Sequence, residues 1–415
     1  MTPFETTTLA ASSSYQPRAA LDPREVRGQM DGVLRADPLD PGRIDAFLPS
    51  PVVQNHAANL MELAGGDLAC VWFGGSMEGK SDICVYFSRL PRGGARWTEP
   101  ERLSDDLALS EQNPVLFNAP DGRLWLFFTA QPAGNQDAAI VRFRISDDGG
   151  RSFGPVEVLP TEAGTFVRQP PIVAPNGDWL LPVFRCRSEG GRKWSGDHDD
   201  SAVLVSSDGG RSWSVRPVPD SLGCVHMNIV AGADGAAVAG YRSRWADNIH
   251  WSRSGDGGRS WSAPERSVLP NNNASIQMIR LRSGRLALVY NHASAADAAE
   301  RRTSLYDELE GDAGSGGTEA PPPARQAFWG APRAPLSLAL SDDEGRSWPI
   351  RVDLEIGDGY CLTNNSELGL NREFSYPSIR QTADGAIHVA FTYFRQAIKY
   401  VRLDEDWIVE RGGAR

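Results

Sequence analysis

Ser146-Asp147-Asp148-Gly149-Gly150-Arg151-Ser152-Phe153 decides how this chain folds. Its pattern, S-x-D-x-G-x-x-aromatic, recurs at Ser206–Trp213, Ser254–Trp261 and Ser341–Trp348, with a degenerate fifth copy from Ser88 to Trp97. The chemistry is that of a tight turn between two strands. The Asp carboxylate accepts backbone N–H groups, glycine supplies a positive φ, and the aromatic ring packs back under the sheet. One copy would carry little weight, whereas four make an internal repeat.

A second repeat interleaves with the first. A glycine turn followed by an apolar strand recurs at Gly66-Asp67-Leu68, Gly122-Arg123-Leu124, Gly177-Asp178-Trp179, Gly235-Ala236-Ala237, Gly284-Arg285-Leu286 and Gly385-Ala386-Ile387. Each module reads strand, glycine turn, strand, strand, Asp turn, strand. Six such antiparallel meanders spell an all-β, six-bladed β-propeller. A seventh blade is left open, in residues 1–50 or near 300–335.

Two segments break the rhythm. Residues 1–50 show no alternation and hold helix-like stretches around Asp22 to Leu34; they read as an N-terminal extension packed on a propeller of residues 51–410. Residues 294–330 read as an insertion, helix-prone over 294–312 and then, from Gly314 to Pro323, a flexible loop by composition. Insertions of this size usually hang over the binding face.

The bulk numbers exclude several classes. The 415 residues alone would suggest two or three domains, but closed repeats grow larger as one unit. A net charge of −11 disfavours nucleic acid. No apolar run is long enough to span a bilayer, and Met1–Ala20 lacks the basic head and apolar stretch of a secretory signal, so no membrane association and a cytoplasmic location are expected. The five cysteines stand at no ligand spacing and read as small buried hydrophobes.

The meander also assigns the faces. Glycine turns and Asp turns share one side, so the starts of first strands and the ends of second strands rim the central funnel on the other. First strands contribute Asn55-His56, Glu111-Gln112-Asn113, Arg168-Gln169, His226-Met227-Asn228, Asn271-Asn272-Asn273 and Ser375-Tyr376. Second strands add Glu78, Gln131, Arg185, Arg242, Arg244, Asn291-His292 and Arg395. Any one of these amides could simply satisfy backbone groups. Six blades placing polar groups at one geometric position point to a site.

Four Asp-boxes and this funnel resemble the sialidase superfamily over about residues 50–407. That resemblance implies three arginines on a sugar carboxylate, a Tyr paired with a Glu as nucleophile, and an Asp as acid/base. Tyr376, within Arg372-Glu373-Phe374-Ser375-Tyr376-Pro377-Ser378, matches the Tyr, and Arg168, Arg242 or Arg244 match the clamp. The first blade departs: Gln54-Asn55-His56-Ala57-Ala58-Asn59-Leu60 holds a histidine where the leading arginine should stand. A closer resemblance is to the propeller lyases that cleave L-rhamnose-α-1,4-D-glucuronate ends, through Asn55–Leu60, Trp72-Phe73-Gly74-Gly75, Phe166–Pro170 and Cys224–Asn228.

β-Elimination from a uronate needs its carboxylate neutralised, a base for the C5 proton and an acid for the departing O4. Arginines supply the first, and histidine the second or third near neutral pH. The expected catalytic residues are His56, Tyr376 and His226. The expected substrate-binding residues are Asn55, Gln112, Asn113, Arg168, Gln169, Arg242, Arg244, Asn273, Glu373 and Arg395, with Arg333 next in line for the clamp. No cofactor is required; a divalent cation such as calcium is conceivable but has no dedicated ligand cluster. The partner is an oligosaccharide or polysaccharide. Two other readings stay open: an exo-acting glycoside hydrolase of sialidase type, with Tyr376 helped by Glu373 or Glu367, and a non-catalytic sugar-binding propeller.

Overall fold

Six antiparallel sheets stand around one axis in a computed structural model that describes residues 15–189, 193–232, 235–302, 304–309 and 325–413. The inner strands of blades one to six are Gln54–Glu62, Ser110–Asn118, Thr165–Val167, Cys224–Ala231, Gln277–Arg280 and Phe374–Gln381. Each pairs with a second strand across its glycine turn. No seventh blade forms among the described residues. The apolar faces pack blade against blade; between blades two and three, for example, Trp125, Phe127, Phe143, Trp179 and Leu204 form one cluster.

The Asp turns are built as their chemistry requires. Asp148 accepts from the backbone N–H of Arg151 and Ser152, both at 2.9 Å, and from the Ser152 hydroxyl at 2.6 Å. Asp208, Asp256 and Asp343 repeat the arrangement, and these hydrogen bonds hold each of the three carboxyls down at about 2. The Trp261 ring folds under its turn and donates to Gly258 O at 3.0 Å.

The ring is closed by the N-terminal segment. Ile44–Phe47 pairs with Ala397–Leu403 as the fourth strand of blade six, and Arg18–Ala19 adds a parallel strand to the outer edge of blade five. The segment before residue 51 therefore does more than lie on the propeller. Buried ion pairs fasten it: Arg43 reaches Glu355 at 2.6 Å, and Lys399 lies between Glu355 and Asp45. Because blade six is completed from the start of the chain, blades one and six become neighbours.

Helix is scarce. Pro23–Val26 forms one turn capped by Asp22, and Glu405–Arg411, capped by Asp404, packs Trp407 and Ile408 into the core. The helix expected over 294–312 is reduced, among the described residues, to single 3₁₀ turns at Ala295–Asp297 and Asp307–Leu309. So short a segment cannot offset the cost of helix nucleation without an apolar face to dock. The loop expected from Gly314 to Pro323 lies outside the described residues. All five cysteines are buried and free.

Candidate active site

In five of the six blades a backbone irregularity marks the start of the inner strand. The inner strands slip register between His56 and Asn59, Gln112 and Val115, Val225 and Asn228, and Ser375 and Ser378. Within those slips Ala57, Asn113, His226 and Tyr376 take left-handed φ of 62°, 52°, 55° and 50°, and Asn273 in blade five takes 56°. Such φ values are uncommon for non-glycine residues, and most of all for an aromatic one. β-Bulges re-aim side chains in this way.

Tyr376 is the hub. Its hydroxyl accepts from Arg242 Nη1 at 2.5 Å, and the carbons of the Arg168, Arg242 and Arg333 guanidiniums stand 5.4, 5.6 and 5.6 Å from its ring centroid. The His56 ring lies 4.2 Å from it and the His226 ring 5.6 Å. His56 and Tyr376 are packed side by side, because ring closure makes their blades adjacent.

Both imidazoles are neutral. Burial first, and then the surrounding arginines, hold His56 and His226 well below the ordinary histidine range. His56 Nδ1 is 2.9 Å from Thr392 Oγ1 and 3.8 Å from a Glu373 carboxylate oxygen, which favours the proton on Nδ1; Nε2 has no partner among the described residues. His226 Nε2 is 3.4 Å from Arg242 Nη1, and a guanidinium can only donate, so the His226 proton sits on Nδ1.

The charges do not balance. Five buried guanidiniums, of Arg168, Arg242, Arg244, Arg333 and Arg395, share the funnel with the carboxylates of Glu78, Asp199 and Glu373. Arg244 pairs with Asp199 at 2.6 Å; Arg333 and Arg395 reach Glu373 at 3.1 and 3.2 Å, and Arg395 also binds Glu78. Arg168 and Arg242 have no carboxylate partner among the described residues, and burial lowers them to about 10 and about 9. Unpaired buried cations are costly and call for an anion.

The expected substrate contacts separate into groups. Asn55 satisfies its whole amide within the protein: it accepts from Trp72 Nε1 and the Ser50 hydroxyl and donates to Val52 O and Gln396 O. Gln169 is spent in the same way on Ile276 O and Gln277. Both amides are thus taken up by partners within the fold. Arg168 is shared: its Nη2 donates to the carbonyls of Ala58, Tyr376 and Pro377, while its Nε and Nη1 have no partner among the described residues. Gln112 donates to the Ser110 hydroxyl, while Asn113 Oδ1 has no partner among the described residues. Glu373 is held at about 2, because Arg333 and Arg395 outweigh the effect of its burial. It bonds Ser375 and Asn371 and makes no hydrogen bond to Tyr376. Glu367 lies exposed in the turn Ser366–Leu368.

The insertion covers the blade-two to blade-five side. Tyr306 Oη accepts from Gln131 and Gln136, each at 2.8 Å, and Trp329 packs at a tilt against Trp194 and beside Arg244. Sequence reasoning missed Thr392, Asp199, Tyr306 and Trp329. The meander rule could have reached Thr392, three residues before Arg395. Nothing in the repeat marks the others: Asp199 lies just before a third strand, and Tyr306 and Trp329 lie in the insertion. Among the described residues no group of three or more His, Cys, Asp or Glu side chains is placed to hold a metal ion, and no helix is long and apolar enough to cross a membrane.

Six meanders, four of them with Asp turns, and an arginine-ringed tyrosine define a sialidase-type six-bladed propeller. The chain belongs to the BNR repeat-like domain family, which matches residues 66–389. No curated protein matches it. Solved structures of similar fold include a Hadza microbial sialidase (TM-score 0.63, 12% identity, 86% of this chain and 67% of that one). A Dyadobacter fermentans protein of unknown function is also similar (0.62, 16%, 88% and 99%), as is the intramolecular trans-sialidase of Ruminococcus gnavus (0.60, 12%, 85% and 95%).

Proposed function

We propose that the protein is a carbohydrate-active enzyme that removes a terminal sugar from a glucuronate-containing glycan by β-elimination, as an L-rhamnose-α-1,4-D-glucuronate lyase does. The observation that carries the reading is the company Tyr376 keeps: an unpaired Arg242 on its hydroxyl, neutral His56 and His226 against its ring, and no carboxylate bonded to it.

The uronate carboxylate supplies the anion that Arg242 lacks, with Arg333 beside it. Their fixed charges stabilise the enolate-like transition state in a site shielded from water. His56 Nε2, neutral and without a partner, takes the C5 proton. Because Tyr376 Oη accepts from Arg242, its own proton stays available for the departing O4. The C5–H and C4–O4 bonds break, a C4=C5 bond forms, and the neutral sugar leaves with a free hydroxyl. His226, whose Nε2 already faces Arg242, is the alternate proton carrier.

One observation favours a second reading, an exo-acting hydrolase of sialidase type: Tyr376 is ringed by arginines on a scaffold shared with sialidases. That reading wants a carboxylate to activate the phenol, and Glu373 is engaged elsewhere. Ultraviolet absorbance during turnover of a glucuronate-capped oligosaccharide separates the two. A conjugated unsaturated uronate raises it; hydrolysis leaves it unchanged.

A further inference from the structure

Asn273 stands between the insertion and the arginine that the proposed reaction depends on. Its Oδ1 accepts from Arg242 Nε at 2.7 Å, and its Nδ2 donates to Phe328 O at 2.9 Å. The two bonds leave one orientation for the amide, since an arginine can only donate and a carbonyl can only accept. Phe328 is itself tied back, its N–H donating to Arg244 O at 2.8 Å. Asn273 is buried, and its left-handed φ of 56° is one that asparagine tolerates better than most residues. Arg242 has no carboxylate partner among the described residues, so the Asn273 amide and the Tyr376 hydroxyl, with His226 Nε2 at 3.4 Å, are what aim its fork.

We propose that Asn273 is a positioning residue: with its amide oriented by the insertion through Phe328 O, it holds the Arg242 guanidinium in the one pose that binds a sugar carboxylate. This rests on the uronate reading above. It makes the insertion part of the anion site rather than a cover over it, so that recognition of the carboxylate is assembled when segment 325–333 is seated.

The test is equilibrium binding of glucuronate and of its neutral amide, glucuronamide, to the full chain and its variants. Asn273→Gly removes the side-chain amide while keeping the backbone conformation. The parent is expected to prefer glucuronate, and Asn273→Gly to lose about 10-fold or more of that preference, the scale of a charge-assisted contact, with glucuronamide binding unchanged. Asn273→Asp, nearly isosteric, keeps the acceptor for Arg242 but cannot donate to Phe328 O and cancels the cation; it is expected to lose the preference as well, and guards against a folding defect in the glycine variant. If both variants discriminate as the parent does, Asn273 does not position Arg242, and the uronate reading stands without it. If the parent itself fails to distinguish the acid from the amide, the uronate clamp and this inference fall together.

Discussion

The imidazole of His56 lies 4.2 Å from the phenol of Tyr376, centroid to centroid, although 320 positions of chain separate them. Their meeting depends on Ile44–Phe47, the strand that completes blade six and brings it beside blade one. The Thr392 hydroxyl, also from blade six, accepts the Ala57 N–H at 3.1 Å and touches His56 Nδ1 at 2.9 Å. The chemistry of the site and the closure of the ring thus share the same residues.

His56→Ala should abolish elimination while the fold persists. Loss of a positioned base costs about 10²–10⁴-fold in rate. Single-turnover kinetics, with circular dichroism to check folding, measure it. A rate within a few-fold of the parent would move the base to His226 or remove the mechanism.

Arg242 and Arg168 should fail differently. Arg242→Lys keeps a charge but loses the fork that meets Tyr376 and Asn273, so KM for an anionic substrate should rise steeply. Arg168→Lys loosens the three carbonyls that its Nη2 holds beside Tyr376, so the main expected effect is a fall in kcat with KM little changed. Steady-state kinetics on the two variants decide between these roles.

The pH dependence has a definite sign. A base must be neutral, and the folded protein holds both site histidines well below 6.5, so activity should show no acid limb near that value and stay level as pH is lowered through it. Stability behaves otherwise. As pH falls below 6.5 the unfolded chain takes up histidine protons that the folded one refuses, so the stability present above 6.5 is lost progressively. A pH–rate profile beside thermal melts checks both.

Much of this was legible in the residues. The Asp turns and glycine turns are local, set by chemistry within eight residues, so they reveal blade number and the side that carries the funnel. His56, Tyr376, His226 and Arg242 stand at strand starts and ends where the meander puts them. Partner identity was not legible. Asn55 and Gln169 read like funnel groups, but the backbone carbonyls that use up their amides, Gln396 O and Ile276 O, belong to other blades. The destination of Arg168 was hidden for the same reason. The closing strand Ile44–Phe47 was missed because so short a run carries little alternation.

The Asp turns should matter for stability alone. Asp256→Ala removes two backbone hydrogen bonds and the bond to the Ser260 hydroxyl, and should lower Tm by a few degrees, as loss of a helix cap does, while kcat is kept. With folded carboxyls at about 2 against an ordinary 3.8, the Asp208, Asp256 and Asp343 turns stabilise the protein above pH 3.8 and lose that contribution as pH falls toward 2. Acid titration of the Asp256→Asn variant should therefore show a shallower loss than the parent over that window.

Turnover of a glucuronate-capped oligosaccharide, followed by mass spectrometry of both products, tests the central claim most directly. Elimination at His56 and Tyr376 requires an unsaturated uronate beside the released sugar. A saturated glucuronate in its place would contradict the account and identify a hydrolase.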